Sequence, residues 1–283
     1  MSASKGLYEH EWFALLSEQA HTPERAEFVL ACCARWGRSP PRDGVELACG
    51  LALDALELAR RGVRMRAIDL SPAMVARARS RVGDAVAVTR ADFARFVAPT
   101  PVDFVMNLGL NTSHLRSGDA MLRHLGNVAE SLKRGGLYLF DVEHVLHRVI
   151  RGVVGRRGRW LVLQTEPAYF ARGSARGRPF EIQFGDTTTE LDPATLRFRS
   201  KNIVRVQTRG GVREKAFPSE GKLFTPEEIR HLVARVPGLE LVAMLAAYDP
   251  RRSIENHPEA DRFVVVLRKG AGSAPLPRSG RRG

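Results

Sequence analysis

The sequence predicts an α/β protein built on a doubly wound, mostly parallel sheet of seven strands, with an antiparallel β insertion after the fifth. Three observations carry that expectation. Residues 45–70 (VELACGLALDALELARRGVRMRAIDL) read as strand, tight turn, helix and strand, ending at the acidic Asp69. The alternation of apolar runs with helical periodicity then repeats as far as Val142, in five βα repeats. From about Trp160 the period changes from 3.6 to two.

In the first unit, Val45 to Ala48 form a short apolar strand interrupted only by Glu46, and Cys49, Gly50, Leu51 and Ala52 make a turn of mostly small residues. Ala52, Ala55, Leu56 and Ala59 follow at helical spacing, Gly62 stops the helix, and Arg64 to Ile68 make the second strand. The helix N-terminus favours an anion. An acidic residue at the end of the second strand is placed to accept hydrogen bonds from two ribose hydroxyls, which makes Asp69 the first candidate binding residue. The other reading of Asp69 is a solvated carboxylate before the Ser71-Pro72 start of the next helix.

Along the rest of the chain, Tyr8, Trp12 and Phe13 open a short helix, and Thr22-Pro23-Glu24 starts a second one that presents Ala26, Val29, Leu30 and Cys33 on one face. Tyr8 and Trp12 serve either as core or as a lid over a ligand. A helix spans 72–81, strands follow at 85–89 and 101–106, and a long helix marked by Met121, Leu122, Leu125, Val128, Ala129 and Leu132 is stopped by Gly135-Gly136 before a fifth strand at 137–142. The β-rich runs WLVLQTEPAYF, FEIQFGDTTTEL and TLRFRSKNIVRVQT form the insertion. Thr225-Pro226-Glu227-Glu228 carries a capping box and Pro at N1, and two strands close the chain at 239–248 and 262–267. The expected divisions are a helical cap at 1–43, a core at 44–147, the insertion at 148–220, a closing helix and hairpin at 221–269 and a disordered tail at 270–283.

Composition narrows the function classes. With 283 residues, 44% hydrophobic and 27% charged, the chain has ordinary globular usage for one enlarged domain or two. The three cysteines, Cys32, Cys33 and Cys49, lack metal-ligand spacing, so neither a zinc site nor a disulfide framework is expected. No apolar run reaches membrane-spanning length and residues 1–6 lack the apolar core of a signal peptide, which places the protein in the cytoplasm. The net charge of +13 is concentrated at 148–215, where 15 basic residues face 6 acidic ones. A patch of that size attracts polyanions. In the insertion, however, Phe180, Phe184 and Phe198 fall on inward strand positions and are not free to stack on bases, so specific nucleic-acid binding is not expected.

Taken together, VELACG, AIDLSPAMVARAR, ADF and RGGLYLFDV resemble the motifs of the class I S-adenosylmethionine-dependent methyltransferases, and KLFTPEEIRHLV before a final hairpin is similar to bacterial small-molecule members, including sugar-amine N-methyltransferases. Ala48 and Ala52 stand where that family commonly has glycine. The resemblance implies a Rossmann-like methyltransferase sheet and S-adenosylmethionine as cofactor. It places Glu46, Ala48, Gly50 and Leu51 at the methionyl group, Asp69 and Leu70 at the ribose, Asp92 and Phe93 at the adenine, and Asn107 and Leu108 beside the sulfonium. It also implies methyl transfer to N or O of a small-molecule acceptor, with His114 as the catalytic candidate; the charge of the insertion favours a polar or acidic acceptor, and their positions in the chain put Tyr8, Trp12, His144 and His147 on the acceptor side. Each of the three histidines could instead be bonded to a loop backbone. Asp103, at the start of the fourth strand, reads as structural. A nicotinamide oxidoreductase would need GxGxxG where ELACGLA stands, and an RNA base methyltransferase would carry NPPY where NLGLN stands. A non-catalytic binding protein of the same fold is the third alternative.

Overall fold

The computed structural model describes residues 5–8, 14, 23–38, 40–143, 150–166, 169–175 and 178–270. Its first half carries strands β1 (Asp43–Leu47), β2 (Arg64–Asp69), β3 (Val86–Arg90), β4 (Val102–Asn107) and β5 (Leu132–Glu143). Helices α1 (Lys5–Tyr8), α2 (Glu24–Trp36), α3 (Leu53–Arg60), α4 (Pro72–Val82) and α5 (Gly118–Ser131) accompany them. The insertion contributes β6 (Ile150–Arg157), β7 (Trp160–Thr165), β8 (Tyr169–Ala175), β9 (Arg178–Phe184), β10 (Thr188–Asp192), β11 (Arg197–Thr208) and β12 (Gly211–Lys222). Helix α6 (Pro226–Ala234) and strands β13 (Leu239–Ala246) and β14 (Arg262–Lys269) follow.

The main sheet has the order β13-β14-β5-β4-β1-β2-β3. Strands β1 to β5 pair in parallel, and β14 runs antiparallel to both of its neighbours, β5 and β13. Helices α2, α3 and α4 cover one face and α5 and α6 the other, so strands β4, β5 and β14 are apolar on both sides. Four of the helices are capped as the sequence requires or by a substitute. Ser71 caps Met74, Ser117 caps Ala120 and Thr225 caps Glu228 through their side chains. Helix α3 has no side-chain cap on its own chain segment, and its N-cap residue Ala52 is left-handed. Glu46 of β1 reaches across instead, its Oε2 accepting from Ala55 N at 3.0 Å.

Three details differ from the sequence reading. The crossover from β3 to β4 holds no helix: residues 91–100 run as an irregular loop ending at Pro99 and Pro101, laid against α5 through Phe93, Ala94, Phe96 and Ala98. Helix α5 ends at Ser131, and Gly135-Gly136 lies within β5. A Cβ at Gly136 would stand 2.9 Å from both Asp103 O and Lys133 O, so the pair permits the register shift of β5 against β4 and does not stop the helix. In α3 the most deeply buried side chains are Asp54, Ala55 and Leu58, with Leu56 and Ala59 half-buried against the same core.

The insertion is a second, wholly antiparallel sheet of order β6-β7-β10-β11-β9-β8, with β12 on the other side of β11. Its apolar face gathers Phe180, Ile182, Val204 and Phe217 around Leu7 of α1. On the opposite face several of the arginines are paired with carboxylates. Arg205 pairs with Glu181 and Glu214 at 3.2 and 2.8 Å, Arg172 with Glu181 at 2.9 Å, Arg157 with Glu190 at 2.9 Å and Arg199 with Glu220 at 3.4 Å.

Candidate cofactor and acceptor site

The carboxyl ends of β1, β2, β4 and β5 meet at one edge of the sheet, and β1 and β4 are each followed by a turn with left-handed residues. After β1, Ala48, Gly50 and Ala52 have φ of 51°, 54° and 56°, so three alternate residues are left-handed. These are the positions at which glycine is the unstrained residue, and two of them carry a methyl group. The turn is held by Cys49 N donating to Ile68 O at 2.9 Å and Ala52 N to Cys49 O at 2.8 Å. A Cβ built on Gly50 would meet nothing within 4 Å, so the turn faces open space.

Asp69 ends β2 beside this turn. Its Oδ2 accepts from Gly50 N at 2.9 Å and its Oδ1 from Ser71 N at 2.8 Å. The half-buried carboxylate thus ties the two loops together and still has lone pairs to offer a ligand. Leu70, next to it, is 42% exposed at the cleft side. Glu46 is 5% exposed and committed to α3, and burial, reinforced by Asp54, holds its pKa well above the carboxylate range. Asp54 in turn binds Arg25 of α2 at 2.9 Å. Leu51 packs with Met74 and Ala14, which brings the N-terminal segment against the turn.

Beyond β3, Asp92 Oδ1 accepts from Ala94 N at 3.0 Å, and the Phe93 ring stands edge-on to His124 at 5.5 Å. At the end of β4, Asn107 is fully buried and its Oδ1 accepts from Asn111 Nδ2 at 3.1 Å. Its Nδ2 makes no hydrogen bond, and burial pushes the pKa of the nearby Tyr138 hydroxyl up, with Asn107 opposing that shift only in smaller part. Leu108 is buried behind it. The next turn is suspended from β5: Asp141, fully buried, accepts from Gly109 N at 2.8 Å and Leu110 N at 2.7 Å, and from the Tyr248 hydroxyl at 2.6 Å. Thr112 Oγ1 donates to Asp141 O at 2.8 Å.

His114 ends the 3-10 turn Asn111–His114 that follows. It is half-buried, and burial together with the Arg116 guanidinium lowers its pKa, so it is neutral at physiological pH and able to accept a proton. The last strand of the insertion lies directly on this turn. A Cβ at Gly221 would be 3.2 Å from Ser113 O, and Arg116 pairs with Glu220 at 2.7 Å. Trp12, His144 and His147 lie outside the described residues, and of Tyr8 only the backbone, in α1, is described.

Asp103, far from this edge, accepts from Arg42 N and Asp43 N at 2.8 and 3.1 Å and pairs with Lys133 at 3.0 Å, in keeping with a structural role. Burial raises the Cys49 thiol and pushes Cys33 up to about 12, so neither is a nucleophile. Sequence reading missed Asp141, Tyr248, Arg25, His124 and Tyr138. Only Asp141 left a signal, as the one charged residue in the apolar run LYLFDV.

Residues 45–136 match the family model described as "Methyltransferase domain". The fold around them is that of the Rossmann-like, S-adenosylmethionine-dependent methyltransferases. Solved structures with this architecture include the CcbJ methyltransferase from Streptomyces caelestis, 20% identical, TM-score 0.63, with 90% of this chain and 92% of that chain covered. An amino pentose methyltransferase from Micromonospora echinaspora, involved in calicheamicin biosynthesis and solved with S-adenosylmethionine bound, is 17% identical with TM-score 0.65 over 92% of this chain and 97% of that one. A sugar N-methyltransferase from Streptoalloteichus sp. is 19% identical, TM-score 0.62, over 88% and 89% of the two chains. Among curated proteins no sequence match was found.

Proposed function

We propose that this protein is an enzyme that transfers a methyl group from S-adenosylmethionine to a nitrogen or oxygen of a small polar acceptor. The observation that carries the reading is the convergence, on one sheet edge, of the left-handed turn 48–52 and Asp69 with Asn107 and the His114 turn. The residues fit the cofactor. The open space above Gly50 admits a ligand against the backbone, Asp69 retains acceptor capacity for hydroxyls, and Asn107 Nδ2 is a buried donor left with unused capacity. S-adenosylmethionine supplies a methyl group on a sulfonium, which is already a good leaving group.

The chain's part is therefore mainly to hold and align. The turn 48–52 and the N-terminus of α3 receive the methionyl end, Asp69 and Leu70 the ribose, and the loop at Asp92 and Phe93 the adenine. Asn107 and Leu108 flank the reacting centre. Alignment of this kind is worth on the order of 7 to 11 kcal/mol where geometry is well fixed. His114, neutral and half-buried, accepts a proton from the acceptor's amine or hydroxyl or holds it by hydrogen bonding. The insertion roofs the acceptor side, since β12 rests on the His114 turn. Arg199 and Arg205 of this sheet are paired with carboxylates, which leaves the other basic side chains of the insertion to favour a polar or acidic acceptor. The solved neighbours described as sugar methyltransferases favour amino sugars as the first acceptors to try.

The test is calorimetric titration with S-adenosylmethionine, followed by detection of S-adenosylhomocysteine against a panel of amino sugars, other amines, phenols and carboxylates. Cofactor binding with turnover on a small molecule is expected. No binding of S-adenosylmethionine would end the proposal, and saturable methylation of RNA at physiological salt in place of small molecules would reassign the acceptor.

A further inference from the structure

Helix α5 carries a polar stripe on its otherwise apolar inner face, and all three of its members hold the irregular loop that replaces the third crossover helix. His124 Nδ1 bonds Phe93 O at 3.1 Å, Asn127 Nδ2 donates to Ala94 O at 3.2 Å, and Ser131 Oγ accepts from Ala98 N at 2.9 Å. The loop has no secondary structure of its own, so these side chains set its position. His124 does more than clamp the loop. It is fully buried, and its Nε2 lies 2.6 Å from the hydroxyl of Tyr138, which is also fully buried, on β5.

The direction of this chain of hydrogen bonds follows from chemistry. Phe93 O can only accept, so the proton of neutral His124 is on Nδ1 and its Nε2 accepts from Tyr138. Tyr138, having spent its proton on His124, keeps its lone pairs for a donor, and the buried Asn107 Nδ2 is a donor without a hydrogen-bond partner. Asn107 pairs with Phe140 in the β4–β5 register, and Phe140 stacks on Tyr138 with ring centroids 4.7 Å apart, so the two polar side chains share one face. The two hydrogen bonds thus point the same way, from Tyr138 through His124 to Phe93 O, the arrangement in which hydrogen bonds strengthen one another, and Asn107 stands beside the acceptor end of the tyrosine hydroxyl with its Nδ2 unused. Nothing in the apolar packing of α5 requires a histidine here. A leucine would supply the apolar contact but leave Phe93 O and the buried Tyr138 hydroxyl without their partner, so the histidine is there for the polar contacts.

We propose that His124 and Tyr138 are positioning residues, a buried relay that couples the loop 91–98 at the adenine end of the cofactor cleft to Asn107 at its sulfonium end. Ordering one end thereby orders the other. The naming of the two ends rests on the methyltransferase reading above, whereas the mechanical link between the two segments does not.

Amide hydrogen exchange, read separately over 91–98 and 107–111, tests the relay with adenosine as the probe of the adenine end alone. In the wild type, adenosine is expected to slow exchange in both segments. In Tyr138→Phe, which keeps the ring and its stacking, adenosine should slow exchange in 91–98 only. His124→Asn, which retains a donor for Phe93 O but no acceptor for Tyr138, should behave like Tyr138→Phe, whereas His124→Leu should weaken adenosine binding itself. Transmission to 107–111 that survives intact in Tyr138→Phe would overturn the proposal. Without ligand, Tyr138→Phe should speed exchange in 107–111 by about tenfold relative to β1, and no difference there would also overturn it. A wild type that binds neither adenosine nor S-adenosylmethionine would remove the cofactor reading, and the ligand-free comparison would still decide the relay.

Discussion

Replacing Asp69 by alanine should damage the apoprotein as well as cofactor binding. A carboxylate serving only a ligand could be removed without cost to the fold, but Asp69 receives Gly50 N at 2.9 Å and Ser71 N at 2.8 Å before any ligand arrives. Hydrogen bonds to a charged group are worth about 1.5 to 3 kcal/mol each, and the half-buried setting points to the lower value, so Asp69→Ala should lower apoprotein stability by about 3 kcal/mol. Loss of the ribose hydrogen bonds and of the ordered Gly50 turn should weaken S-adenosylmethionine binding by a further two orders of magnitude, or about 3 kcal/mol. Asp69→Asn should fall between, because whichever way the amide is turned, its NH₂ opposes one of the two backbone donors. Urea denaturation of the apoproteins and calorimetry of the folded ones separate the two effects. An Asp69→Ala apoprotein as stable as wild type would refute the bridging role, and one that bound S-adenosylmethionine within twofold of wild type would refute the cofactor placement.

The left-handed Ala48 should welcome glycine: Ala48→Gly relieves about 1 kcal/mol of backbone strain and should raise the urea midpoint, whereas in Ala52→Gly the loss of a fully buried methyl, about 0.8 kcal/mol, should cancel most of the gain. His124 has its pKa pressed by burial to about 4, so the unfolded chain takes up a proton that the native state refuses between about pH 4 and 6.5. Its contribution is complete above pH 6.5 and is lost as pH falls toward 4, which should make wild type lose about 2 kcal/mol more than His124→Asn between pH 7 and 4.5 in denaturant melts. His114→Ala should leave S-adenosylmethionine affinity unchanged and reduce turnover at least tenfold at saturating cofactor, and the lowered pKa puts the acid limb of the wild-type profile below pH 6.5. An unchanged turnover number would remove His114 from the site.

The sequence made the sheet legible because its strands announce themselves by apolar runs and its helices by caps: Ser71-Pro72 and Thr225-Pro226 both start helices where they stand. Asp69 was legible because a strand-end acid after a βαβ unit has few structural reasons to exist. What was not legible depended on contacts between distant segments. The crossover at 91–100 looked like another βα repeat since nothing local reveals that α5 supplies its anchors. Glu46 could not be assigned to α3 without knowing that Ala52 leaves that helix uncapped. The positive charge of the insertion was plain, but its pairing was not, because Arg199 meets Glu220 and Arg205 meets Glu181 across strands whose register no single-strand pattern reports. His124 hid for the same reason, since nothing local shows that it, Asn127 and Ser131 face a loop they hold.

The order of the main sheet also bears on how the chain is made. Strand β14 is interior, lying between β5 and β13, and Phe263 to Leu267 are fully buried there. On the ribosome, β5 is complete at Glu143 but its partner begins only at Arg262, an interval of 119 residues filled by the insertion and α6. At roughly 5 to 20 residues per second, the open edge of β5 waits about 6 to 24 s for the strand that covers it. During that time an apolar strand with unpaired amides is available to any neighbour, the condition under which nascent chains aggregate or swap. A chain that stops short of β14 would therefore not be trimmed at a margin. It would lack the strand that joins β13 to the rest of the sheet.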